Sequence, residues 1–136
     1  MSQIGKVSLN GLYHEDSQYT FELASAIVVG DVGKAVALDP TAPNTVKLAA
    51  EDEVILGRLE TFEDRTAEGV KVGAVSINGG HKFLIHNTTV AGDVPDVGEY
   101  LSGSLVDGYV QGSATASRWL VTEVAADDSY AIAISV

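Results

Sequence analysis

The chain has 136 residues, 46% of them hydrophobic, which suits one domain, or one domain with an arm, and argues against general disorder. It contains no cysteine, so disulfides, cysteine-based metal sites and thiol nucleophiles are excluded. Its formal net charge is −11, from 19 acidic and 8 basic residues, a surface that repels phosphate backbones and anionic membranes; neither direct nucleic-acid binding nor membrane binding is expected.

The start, Met1-Ser2-Gln3-Ile4-Gly5-Lys6, has no basic segment followed by an apolar one, so no signal peptide is expected. Val7, Leu9, Tyr13, Tyr19, Phe21 and Leu23 fall on odd positions among mostly polar neighbours, a period-two alternation that reads as extended strand. Asn10-Gly11 and His14-Glu15-Asp16-Ser17 interrupt it with turn residues. Residues 1–24 are therefore expected to form an extended arm, partly ordered only on a partner, ahead of a β-rich domain over 25–136. Val7, Leu9, Leu12, Tyr13, Tyr19 and Phe21 are its interface candidates. The segment is too polar to build its own core, and aromatic side chains anchor binding surfaces.

From Ile27 onward, short β-rich runs recur between Gly, Pro, Asn and Asp. They are 34–38, 45–49, 54–62, 70–77, 82–86, 99–102, 108–111, 118–124 and 130–135. Asn78-Gly79-Gly80 suits the positive φ angles of a tight turn, so 70–77 and 82–86 are expected to form a hairpin. No stretch sustains a helical period over three turns, and no apolar run approaches the roughly 20 residues of a membrane-spanning helix. The predicted fold class is all-β, a small barrel or sandwich.

An internal repeat runs through these strands. Gly30-Asp31-Val32-Gly33 precedes one set, 34–38, 45–48 and 55–60. Gly92-Asp93-Val94 and Val97-Gly98 precede a second, 99–101, 108–110 and 119–123. The reading is a duplicated three-strand unit with the 70–90 hairpin between the copies.

The chain offers little that looks like chemistry, and no cofactor or metal is expected. His81 and His86 lie five apart, on opposite faces of a strand, and His14 stands apart from both. No Gly-x-Ser-x-Gly elbow and no phosphate-cradling glycine motif occurs. Asp31, Asp39, Asp93, Asp96 and Asp107 neighbour Gly or Pro, where aspartate caps turns locally. Trp119, in an apolar Trp-Leu-Val run, reads as a core residue; exposed, it would suit sugar stacking. No catalytic apparatus is recognisable, and an enzyme is not expected.

The run Val-Gly-x-Ala-Val-x-Leu at 32–38, the proline-containing turn after it, Asn-Thr-Val-Lys-Leu-Ala at 44–49 and Ile-Leu-Gly-Arg-Leu-Glu at 55–60 resemble the small capsid decoration, or cement, proteins of tailed bacteriophages. Glu68-Gly69-Val70-Lys71-Val72-Gly73 and Val97-Gly98-Glu99-Tyr100-Leu101 are similar in style. The resemblance covers roughly residues 25–125 and rests on spacing, with no catalytic residue to carry over. It implies a homo-oligomer, a trimer ahead of a dimer, on the outer capsid surface of the virion after synthesis in the host cytoplasm. There it would bridge subunits of the major capsid protein, with the N-terminal arm as a capsid contact. The alternatives are another virion β-module, of tail, baseplate or fibre, and a carbohydrate-binding domain using Trp119 and surface tyrosines.

Overall fold

The computed structural model describes residues 18–87 and 93–136. The described residues form eleven strands: β1 (Gln18–Leu23), β2 (Ala35–Leu38), β3 (Thr45–Leu48), β4 (Gly57–Leu59), β5 (Glu63–Arg65), β6 (Val70–Ser76), β7 (Gly80–Leu84), β8 (Tyr100–Gly103), β9 (Val110–Ser113), β10 (Trp119–Val124) and β11 (Tyr130–Ser135). Two single 3-10 turns, Val29–Asp31 and Thr66–Glu68, complete them. The class is all-β, as the alternation and turn residues predict. Residues 18–23 of the segment read as an arm are a strand of the body, and residues 1–17 lie outside the described residues.

The strands divide into two sheets. The first runs β1-β3-β2-β4-β6-β5, and β1 also pairs with β6. That second pairing closes β1, β3, β2, β4 and β6 into a ring, a five-stranded barrel. The second sheet runs β9-β8-β10-β11-β7.

Side by side, the two sheets are one pattern used twice. In each half the second strand in chain order is flanked by the third and fourth; the last strand then joins the fourth, and the first joins the last. Register follows order. Ala35 faces Arg58 as Tyr100 faces Leu120, Leu38 faces Val46 as Gly103 faces Val110, and Thr20 faces Ala74 as Lys82 faces Ile132. Irregular backbone repeats as well. Gly33 and Gly98 have φ of 97° and 93°, and their N–H groups donate to the carbonyls of Leu59 and Val121 at 2.7 and 2.9 Å. The left-handed residues before the third strands are Asn44 and Gly108. Both are residue types that tolerate that conformation.

The repeat unit therefore has five strands. The expected three-strand copies are its middle, β2–β4 and β8–β10; β1 matches β7, and β6 matches β11. The expected hairpin over 70–86 is corrected by the same comparison. The turn stands where Asn78-Gly79 puts it, with Gly79 at φ 98°, but β6 closes the first half while β7 opens the second and pairs with β11. The turn residues specify a reversal, not which edges meet. Pairing with β11 seats Phe83 in the second core, a larger apolar gain than a local hairpin provides.

Each half has its own apolar cluster, at matching positions. Phe21, Leu23, Val36, Val46, Leu59 and Val75 in the first correspond to Phe83, Ile85, Leu101, Val110, Val121 and Ala133 in the second. The halves differ in closure. β7 and β9, the counterparts of β1 and β3, do not pair with each other. The second core is completed by Ala35, Ala37, Ala49 and Ile55 from the outer face of the first half. Backbone bonds stitch this seam. Ala35 N–H donates to the Gly108 carbonyl and Gly108 N–H to that of Ala49, both at 2.9 Å. Asp52 and Gly103 N–H donate to the carbonyls of Gly103 and Glu53, both at 3.0 Å.

One further expectation is corrected. The run 54–62 is not one strand. Only Gly57–Leu59 is, because Ile55 leaves the sheet to bury its side chain in the second core. Glu63 and Asp64 belong to β5, an exposed strand that pairs antiparallel with Val70–Val72. Its charges suit an edge that must not recruit another chain.

Candidate interaction surface

Of the predicted interface residues, Val7, Leu9, Leu12 and Tyr13 lie outside the described residues. Tyr19 and Phe21 share the odd face of β1, which turns into the first barrel. Phe21 packs against the first core, and Tyr19, at the strand's start, is more than half exposed.

The residues that sequence marked for possible chemistry are dispersed. His81 points its Nε2 at the Asn78 carbonyl (2.9 Å), stands edge-on to Trp119, and has its Nδ1 3.8 Å from the Glu60 carboxylate. His86 packs its ring on Tyr109, 4.9 Å between centroids, at the gap between β7 and β9. Among the described residues, no group of three His, Asp or Glu is placed to hold a metal ion. No helix among them is long and apolar enough to cross a membrane.

Trp119 is fully buried. Its Nε1–H donates to the Ile55 carbonyl at 3.2 Å, across the seam. Arg118 beside it donates to the carbonyls of Leu56 (2.6 Å) and Ile77 (2.7 Å) and to Asn78 Oδ1 (3.3 Å). The planar guanidinium suits this task, because its donors reach several acceptors from one fixed plane. The Trp-Leu-Val run made the burial of Trp119 legible; the role of Arg118 had no sequence signal, since its partners lie 40 to 62 residues away.

Of the aspartates near glycine and proline, Asp39 caps its turn, accepting the Thr41 N–H (2.9 Å) and hydroxyl (2.6 Å). Asp127, which neighbours neither residue type, does the same for Ser129. Asp31 is more built in. Its carboxylate accepts the Val28 N–H and the Lys34 ammonium, both at 2.9 Å. Burial alone would raise its pKa, but these partners outweigh that and hold it below the ordinary range. Glu53 follows the same logic, with burial opposed by Lys47 and the Ala50 N–H.

Two groups of apolar side chains stand outward near β2. Val28, Val29 and Val32 stand out from the loop ahead of β2, while Ile27 is fully buried beneath them. Past the other end of β2, Leu38 and Val54 are exposed over a groove of about 390 Å³ lined also by Ala37, Pro40, Leu56, Glu53 and Arg118. Sequence reasoning missed both surfaces. Nothing in Ile27-Val28-Val29 separates the buried residue from the exposed ones, and 54–62 reads as one continuous strand. Compared with known protein families, curated proteins and solved structures, the chain matches none.

Proposed function

We propose that this chain is a capsid decoration protein of a tailed bacteriophage. In this reading a homo-oligomer, a trimer in the first instance, binds the outside of the expanded head. It bridges neighbouring subunits of the major capsid protein and holds the particle against the pressure of packaged DNA. The observation that carries the reading is where the chain spends its large polar and aromatic groups. Arg118, Trp119 and His81 all serve the seam between the two halves. The remainder is a stiff β body with apolar side chains on fixed turns and a net charge of −11, suited to binding a surface and keeping particles dispersed.

The N-terminal strand supports a tether. β1 is paired on both sides, parallel with β3 and antiparallel with β6, so any pull on residues ahead of Gln18 is delivered to the closed barrel. Strand addition by residues 1–17 to an exposed capsid edge would supply main-chain affinity, and several arms on one oligomer would supply avidity. The carbohydrate-binding alternative required an exposed Trp119, and the buried indole offers no stacking face.

The test is co-sedimentation of the full chain with expanded, undecorated heads and, separately, with purified tails. Retention by heads alone is expected, and deletion of residues 1–17 should weaken it. Retention by tails alone would favour the other virion module, and undiminished binding after the deletion would remove the arm from the account.

A further inference from the structure

Among the described residues, β7 pairs with β11 alone. The Ser135 N–H donates to the Gly79 carbonyl at 3.0 Å, and the Ile85 N–H to that of Ser129 at 2.9 Å. Antiparallel pairs alternate, so residues 79, 81, 83 and 85 direct their main-chain groups to β11, while Gly80, Lys82 and Leu84 turn theirs to the outer edge. β1, the match of β7, uses that edge: the N–H groups of Glu22 and Ala24 donate to the carbonyls of Asn44 and Val46, both at 2.9 Å. β9 does not offer β7 the same, because the Gly108 carbonyl, the match of that of Asn44, accepts the Ala35 N–H. Gly80 and Lys82 are exposed, so the edge is reachable. The sheet face beside it is apolar. Phe83, Ala131 and Ala133 turn into the second core, which puts Leu84, Tyr130, Ile132 and Ile134 on the opposite face, none of them buried. Ile134 is 40% exposed, at a groove of about 400 Å³ lined also by Gly79, Gly80 and Ser135.

We infer that this edge takes residues 7–13 of the same chain as an added strand. The segment arrives at the right end. Gln18 faces Ser76, and β6 passes from there through the Asn78-Gly79 turn into β7. The turn folds β7 back across the outer face of the first barrel, where His81 meets Glu60. Ahead of β1, His14-Glu15-Asp16-Ser17 carries turn residues at the corresponding place. β1 and β6 then turn together as one two-stranded ribbon, which lays the segment antiparallel along β7. Its chemistry fits the position. Val7, Leu9 and Tyr13 alternate, so one face of the added strand is apolar like the sheet face it extends. Tyr13, nearest the turn, falls beside Gly80, and an aromatic ring on a neighbouring strand fills the gap that an edge glycine leaves. Asn10-Gly11 is then a bulge. The pairing also covers an edge that would otherwise recruit other chains. Nothing in the inference depends on a capsid; if the proposed function holds, a head edge has to compete with β7 for the same residues.

The experiment is amide hydrogen exchange by NMR on the full chain without heads. In the wild type the Lys82 and Leu84 amides are expected to exchange at least ~100-fold more slowly than in an unstructured chain. Cross-strand nuclear Overhauser contacts should join residues 7–13 to 80–84. The paired substitution Leu12→Pro with Tyr13→Pro should speed both amides at least ~10-fold, because adjacent strand residues point their N–H groups to opposite sides and one of the two prolines removes a donor facing β7. The Leu59 amide, in the first core, should keep its rate. If Leu59 exchanges faster too, Tyr13→Ser is read in place of the prolines, with a smaller acceleration expected at Lys82. Exchange at the unstructured rate in the wild type would leave the edge to solvent, with Lys82 as its only guard, and would overturn the inference. Protection that survives both variants would overturn it as well. So would protection that fades on dilution, which would give the strand to a second copy. Head co-sedimentation plays no part in these readings, so the inference and the capsid proposal fail separately.

Discussion

Trp119 occupies in the second half the place that Gly57 occupies in the first. Both begin the fourth strand of their unit, as the shared register of Arg58 with Ala35 and of Leu120 with Tyr100 requires. At Gly57 an added Cβ would stand 2.1 Å from the Ser76 carbonyl oxygen, so the first barrel has no room there. The open second half admits the largest side chain, which fills its core and reaches the first half at Ile55. Gly57→Ala is expected to cost about 3 kcal/mol, because backbone atoms must move. Gly30→Ala, with nothing within 4 Å of the added carbon, should be near neutral. Urea midpoints of the two variants check the contrast.

Trp119→Leu removes the bond to the Ile55 carbonyl and leaves a cavity at the seam, with an expected cost of about 3 kcal/mol. Wild-type fluorescence should be blue-shifted and resistant to acrylamide. A red-shifted, readily quenched emission would contradict the burial and revive the sugar-binding alternative.

Arg118→Lys keeps the charge and loses the fork. One ammonium cannot serve the Leu56 and Ile77 carbonyls from the same fixed plane, so at least one is left without its donor. A loss of about 2 kcal/mol is expected in denaturant unfolding.

Acid should weaken the loop ahead of β2 through Asp31. Its folded pKa lies below the ordinary aspartate value of about 3.9. Its contribution is therefore complete above that value and disappears as pH falls through the folded pKa. The stability gap between wild type and Asp31→Asn should be constant near neutrality and narrow in that acid window. A gap that widens on acidification would reverse the assignment. Thermal unfolding at a series of pH values reads it.

Much of the fold is written in local pattern, and the remainder depends on partners far along the chain. Val32-Gly33 and Val97-Gly98 expose the repeat because a left-handed residue before a strand nearly demands glycine. Its outer strands are harder to see. β1 and β7 share little beyond Phe21 with Phe83 and Leu23 with Ile85, since packing asks only for apolar bulk on one face. Asn78-Gly79 announces a turn but not the divergence of its strands. Glu63–Arg65 carries no apolar alternation at all, because all three residues of that strand are exposed. The surfaces were the least legible. Val29 and Ile27 are alike as residue types, and only the seat of the loop on the barrel makes one a protruding knob and the other core.

In the proposed role of a capsid scaffold the chain must yield as one body, and residue-resolved hydrogen exchange tests that most directly. Leu59 and Val121 are matched amides in the two cores, donating to the carbonyls of Lys34 and Glu99. Because Ala35, Ala37, Ala49 and Ile55 complete the second core, both amides should exchange through the same opening, with the free energy of global unfolding. Clearly different opening energies at Leu59 and Val121 would mean two independent barrels on one chain, and would contradict the account.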